Sequence, residues 1–195
     1  MKKLFSLFSV VVFFITSCTN NPDFAKQEQQ KREAMEKFVE EYNDNNSSIK
    51  AEYDEQCQCV NLSWKCKTLT ASYKLYFKDL LSDNPTSYAK DFLISMVIFK
   101  EGVTEISRLE FVYEGITFKA IPFTSETIDE KGVALAAFNA SNETTISCFN
   151  MLSNLSGLVT GKICTNKGAI NIPLDDVFNL RGMARSYVID GGKFE

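Results

Sequence analysis

The residues best suited to covalent chemistry are two thiols one position apart, in Cys57-Gln58-Cys59. A thiolate can attack a partner's disulfide, and a second thiol within reach can resolve the mixed disulfide that results. Cys66 follows closely and reads as a further resolving thiol. The redox motif that most depresses a thiol pKa has two residues between its cysteines and opens a helix. Here Glu52, Asp54 and Glu55 precede the pair, which opposes thiolate formation, and strand-like alternation follows it. Structural pairing is therefore the first expectation for these cysteines, and exchange chemistry the alternative. Together with Cys148 or Cys164 they would supply four zinc ligands, but one intervening residue suits the ligand knuckles of structural zinc poorly. No metal and no other cofactor is expected.

Other chemistry is narrowed by what is missing. The chain has no histidine, which excludes Ser-His-Asp and Cys-His catalysis, histidine-ligated zinc and a histidine pH switch. Gly157-Leu158-Val159-Thr160-Gly161-Lys162-Ile163 falls short of a phosphate-binding loop. It is one residue too tight between the glycines, and Ile163 stands where a magnesium-holding hydroxyl is needed. Asp175 and Asp176 are sequence neighbours that diverge on a helix, so they read as helix-start charge. Arg181 and Arg185 lie one helical turn apart and read first as a solvated face, second as a grip on a carboxylate or phosphate. With 21 Lys and Arg against 25 Asp and Glu, net −4, and no basic cluster, the composition gives no footprint for nucleic acid.

The elements that must position these residues begin with an N-terminal segment of a different kind. Met1-Lys2-Lys3 is followed by an apolar run over residues 4–17, closing at Ile15-Thr16-Ser17-Cys18. That run is short of the roughly 20 residues a bilayer core requires. A charged start, a short apolar stretch and small residues before a cysteine resemble a bacterial lipoprotein signal peptide. The resemblance implies cleavage of residues 1–17, a diacylglycerol thioether on Cys18 and acylation of its new amino group. Several acyl chains anchor a protein stably where one is marginal. Thr19, where an Asp would resemble an inner-membrane retention signal, and the lack of a following acidic run imply the outer membrane, facing the periplasm. The partners expected are the membrane, through the lipid, and an envelope protein or component.

Residues 18–48 read as the lipidated cysteine, a tether and a helical stalk, and 49–195 as a single globular domain. Residues 24–42 are dense in Glu, Gln, Lys and Arg, a helix-favouring mix, with Glu28–Arg32 and Glu33–Lys37 in the acid-first i,i+4 order. Met35, Phe38, Val39 and Tyr42 form an apolar stripe at helical spacing. The stripe is expected to dock on the domain, or else to be a partner-binding face. The alternation of Val60, Leu62 and Trp64 predicts a strand, as do residues 92–99, 106–113, 116–123 and 133–138. Residues 69–77 alternate like a strand, the preferred reading, yet Tyr73, Tyr76, Phe77, Leu80 and Leu81 also fit a helix face. Glu114-Gly115 suits a tight hairpin. Cys148, Phe149, Met151, Leu152 and Leu155 predict a helix capped by Ser147 and leaving at Gly157. Strands over 158–164 and 169–172 follow, then a helix over 175–186. Residues 187–189 read as a last strand, before Asp190-Gly191-Gly192 frees the tail.

The fold class is thus α+β: a mainly antiparallel sheet, sandwich-like or curled, with an N-terminal helical stalk and two helices in the C-terminal third. An oxidising compartment favours disulfides. Cys66 is expected to pair with Cys57 or Cys59, and Cys148 with Cys164, leaving one thiol. The function expected first is a non-enzymatic, lipid-anchored envelope protein that binds a protein or envelope component. The alternative is thiol–disulfide exchange at Cys57 and Cys59.

Overall fold

A computed structural model describes residues 22–129 and 133–195. The signal segment 1–17, Cys18 and residues 19–21 lie outside the described residues. In chain order the elements are α1 (Pro22–Asn45), β1 (Lys50–Asp54), β2 (Cys59–Lys65), β3 (Leu69–Lys78), β4 (Thr86–Phe99), β5 (Ile106–Tyr113), β6 (Ile116–Ala120), β7 (Thr124–Asp129), β8 (Val133–Phe138), α2 (Glu143–Asn154), β9 (Thr160–Thr165), β10 (Gly168–Ile172) and α3 (Leu174–Ile189). The α+β class holds, with one helix at the N-terminal end and two in the last third. Among the described residues the sheets number two: six strands in the order β1-β2-β3-β4-β8-β7, and four in the order β10-β9-β5-β6. Every strand pair is antiparallel.

Side chains of a strand alternate between faces, and the larger sheet follows that rule closely. Val60, Leu62 and Trp64 on β2, Ala71, Tyr73 and Leu75 on β3, and Ile94, Met96 and Ile98 on β4 all enter the core. Between them, Asn61, Ser63, Ser72, Lys74 and Tyr76 take the outer face. The smaller sheet contributes Leu109, Phe111, Ala120 and Ile163 to the same core. The sheets meet where β5 passes β8. Elsewhere α3 touches β2, β3, β4 and β9, while α2 packs on β6 and α3.

The apolar stripe of α1 is used within the molecule. Met35 is buried, Phe38, Val39 and Tyr42 pack against the core, and the Phe38 ring meets Phe77 edge-on at 5.0 Å. Asn43 fixes the end of the helix by exchanging two 2.9 Å hydrogen bonds with the backbone of Ala51. The stripe is therefore not the free partner face that was the second expectation for it, and the boundary between stalk and domain falls inside α1. The expected acid-first pairs are also replaced. Arg32 bonds Glu36 and Glu55, and Glu28 bonds Lys31 and Gln58, because the β1–β2 turn lies against the helix.

Three further expectations change at the C-terminal end. Asn142, not Ser147, caps α2, its side chain accepting from the Thr145 N–H. Residues 187–189 are the last turn of α3 and not a strand. Val177, Leu180, Ala184 and Tyr187 are buried at helical spacing, and that packing overrides the β-propensity of Val188-Ile189. The tail is not free either. Gly191 takes φ 84°, and a Cβ on Gly192 would lie 2.5 Å from the Tyr187 ring. Those two glycines fold the chain back, so that Phe194 packs among Phe92, Phe149 and Tyr187 at centroid distances of 5.3, 5.4 and 4.8 Å.

Candidate functional site

The turn between β1 and β2 holds the strongest concentration of reactive groups. Asp54 closes β1 opposite Cys59, the first residue of β2. The Asp54 carboxylate accepts the backbone N–H groups of Gln56 and Cys57, both at 3.0 Å, which shapes the turn and holds its own pKa below the usual carboxylate range. Gln58 completes the turn at φ 50°, a left-handed conformation that costs a non-glycine residue roughly 1–2 kcal/mol. The result brings the ligand atoms of Asp54, Cys57 and Cys59 within 4.8 Å of one another.

The two thiols differ sharply. Cys57 is exposed and Cys59 buried. Cys59 lies on the outer face of β2, yet it is fully covered, beside the hydroxyl of Tyr76. Burial, and then the charge of Asp54, push its thiol pKa up. Cys57 Sγ instead accepts a 3.3 Å hydrogen bond from Lys74 Nζ, and that contact pushes the Lys74 pKa up. The exposed sulfur thus has an ammonium on one side and the Asp54 carboxylate on the other. Neither Lys74 nor Tyr76 was legible as a site residue. The antiparallel register of β2 with β3, Val60 opposite Leu75 and Asn61 opposite Lys74, is what carries them there.

The remaining cysteines are separated from this pair and from each other. Cys66 lies beyond the far end of β2, and a seven-residue strand at about 3.3 Å per residue puts roughly 20 Å between it and Cys59. A disulfide needs Cα atoms within about 7 Å, so the expected pairing of Cys66 with Cys57 or Cys59 does not fit this fold. The Cys66 thiol instead accepts the N–H of Leu69 at 3.3 Å. Cys148 is buried on α2, its pKa pushed up to about 12 by burial. Cys164 is opposite Arg108, on the face of β9 that points away from the core. All five described cysteines are free thiols, and the Cys148–Cys164 bridge would have to cross the smaller sheet.

Two other charged groupings are structural. Arg181 donates to the carbonyls of Leu155 and Gly157, and Arg185 to those of Ser153 and Leu155. They thus satisfy carbonyls that the end of α2 leaves open, in place of an external carboxylate or phosphate. On the outer face of the smaller sheet, Glu110 is only 6% exposed. It accepts from Arg108 at 2.6 Å and Lys162 at 2.8 Å, which pull its pKa down to about 2.

A cleft of about 480 Å³ separates α1 from the β3–β4 loop, lined by Glu28, Lys31, Tyr53, Gln58, Phe77 and Leu80 among others. An apolar patch lies elsewhere, where Leu158, Leu174 and Phe178 are 71%, 54% and 72% exposed. Among the described residues no helix is long and apolar enough to cross a membrane. The fold and site define an α+β protein of two antiparallel sheets with a dithiol at a hairpin tip. No protein-family model, curated protein or solved structure matches the chain.

Proposed function

We propose that this protein is a lipid-anchored component of the bacterial envelope, held through Cys18 at the outer membrane and facing the periplasm, and that it carries out thiol–disulfide exchange at Cys57 and Cys59. The supporting observation is the asymmetry of the pair: an exposed sulfur bonded to an ammonium, with a buried thiol within 4.8 Å. The length of β2 separates Cys66 from both thiols, which leaves Cys59 as the thiol within reach of Cys57.

The exchange runs in two displacements. The Cys57 thiolate attacks one sulfur of a partner disulfide, forming a mixed disulfide and releasing one partner thiolate. Cys59 then attacks Cys57 Sγ, its proton passing to the departing partner sulfur, which leaves as the second partner thiol as the Cys57–Cys59 bond closes. Two electrons pass from the dithiol to the partner, and the reverse sequence makes the protein a disulfide donor. Exposed disulfides are the labile, exchange-active ones, and Cys57 is exposed.

The test uses the mature protein, reduced, with hydroxyethyl disulfide as probe. The wild type should become internally oxidised at Cys57–Cys59, whereas Cys59→Ser should stop at a stable mixed disulfide on Cys57. Labelling of Cys66 in preference to Cys57, or no mixed disulfide in Cys59→Ser, would count against the assignment. A stoichiometric thiophilic metal ion that blocks both thiols would point to metal binding instead.

A second reading, non-enzymatic binding of an envelope protein, is favoured by the exposed patch of Leu158, Leu174 and Phe178. Phe178→Ser should then raise solubility without altering exchange.

A further inference from the structure

Resting on the exchange reading, we infer that the partner disulfide of Cys57 lies in an acidic peptide segment. Lys74 and Lys90 stand directly opposite each other on β3 and β4, and Tyr76 opposite Tyr88. The tyrosine rings stack with centroids 5.4 Å apart. The ammonium groups of Lys78 and Lys90 both lie 5.2 Å from the centre of the Tyr88 ring. Like charges facing each other across a ladder are destabilising. Among the described residues none of these three lysines is in an ion pair, although the chain as a whole is acidic.

The nearby carboxylates offset Lys74 in part and, among the described residues, leave Lys78 and Lys90 without an ion pair. Asp54 holds the backbone of the turn and also faces Lys74 and the Cys57 thiol, Glu55 is paired with Arg32, and Glu52 sits one strand further out, opposite Asn61. Asp91 is near Tyr76, at the irregular point in the β3–β4 register. The outer face beside Cys57 is thus a local cationic and aromatic platform on a protein of opposite net sign. A segment bearing Asp or Glu beside its disulfide would be steered to it, with its sulfurs delivered at the exposed thiol. A basic segment would be repelled.

The experiment compares two disulfide-cyclised peptides, identical except for flanking glutamates or flanking lysines, as oxidants of the reduced mature protein. Hydroxyethyl disulfide serves as a neutral control. The acidic peptide should react roughly tenfold faster or more at low salt, and the advantage should shrink as salt screens it. Lys78→Glu with Lys90→Glu should abolish or reverse the preference while leaving the hydroxyethyl disulfide rate unchanged. Equal rates for the two peptides, or a preference that survives the double substitution, would overturn the inference with exchange intact. No reaction with hydroxyethyl disulfide would remove the exchange reading, and this inference with it.

Discussion

At the scale of single residues, the molecule separates thiols and charges that look alike in sequence. Cys57 and Cys148 are both cysteines among apolar and polar neighbours, yet one is exposed and bonded to Lys74 and the other lies in the core at a pKa near 12. Alkylation of the native protein at neutral pH should therefore label Cys57 readily and Cys148 only after unfolding, as read by peptide mapping. Glu110 offers a second residue-scale prediction. Its folded-state pKa is depressed from the ordinary 4.5 to about 2, so it adds stability above 4.5 that is lost as pH falls towards 2. Glu110→Gln should cost roughly 1–3 kcal/mol at neutral pH, discounted because Arg108 and Lys162 are partly solvated. The gap to wild type in denaturant melts should close on acidification. A gap that stays constant from neutral pH to pH 2 would mean that the carboxylate's charge plays no part.

At the scale of elements, α1 belongs to two environments. Its second half is core, through Met35 and Phe38, and its first half touches the thiol turn through Glu28 and Arg32. Removing residues 22–33 should leave the melting temperature nearly unchanged, whereas removal through residue 42 should destabilise the fold markedly. Equal stability of the two truncations would show that the stripe is not packed as described. Arg181→Ala should cost about 2 kcal/mol, by leaving the Gly157 carbonyl without its donor and the Leu155 carbonyl with Arg185 alone.

Much at this scale was legible in the sequence, because period-2 and helical spacing are local signals. Strands β2, β4 and β5, the hairpin at Glu114-Gly115 and both C-terminal helices follow from such spacing, whereas the residues of β3 fit a helix face almost as well. β1 and β7 did not announce themselves: Lys-Ala-Glu-Tyr-Asp and Thr-Ser-Glu-Thr-Ile-Asp are short edge strands carrying few apolar residues. The partners of Cys57 were hidden for another reason. Lys74 reaches it through strand register, a non-local property that cysteine spacing cannot report.

At the scale of the whole molecule, one core joins both sheets and all three helices, and the tail is part of it. Tyr73 donates to the Asp190 carboxylate at 2.6 Å, and Asp190 in turn accepts the N–H of Ala89 on its backbone carbonyl. The end of α3 is thereby pinned to the middle of the larger sheet. Phe194→Ala should cost about 3 kcal/mol, seen as a lower unfolding midpoint, whereas an unpacked tail would give no change. The proposed anchor acts on the same scale. Cys18→Ser should leave an unprocessed precursor, and normal processing with retention in the membrane would contradict the lipoprotein assignment.

The most direct test of the account is the redox equilibrium of Cys57 and Cys59 in the mature protein, titrated against glutathione buffers and read by mass spectrometry of the peptide that carries both. The exchange reading predicts a two-electron transition ending in a Cys57–Cys59 disulfide, with a midpoint above about −250 mV, in the range of exchange proteins. A pair that stays reduced throughout, or a bond that resists reduction below about −300 mV as structural disulfides do, would contradict it.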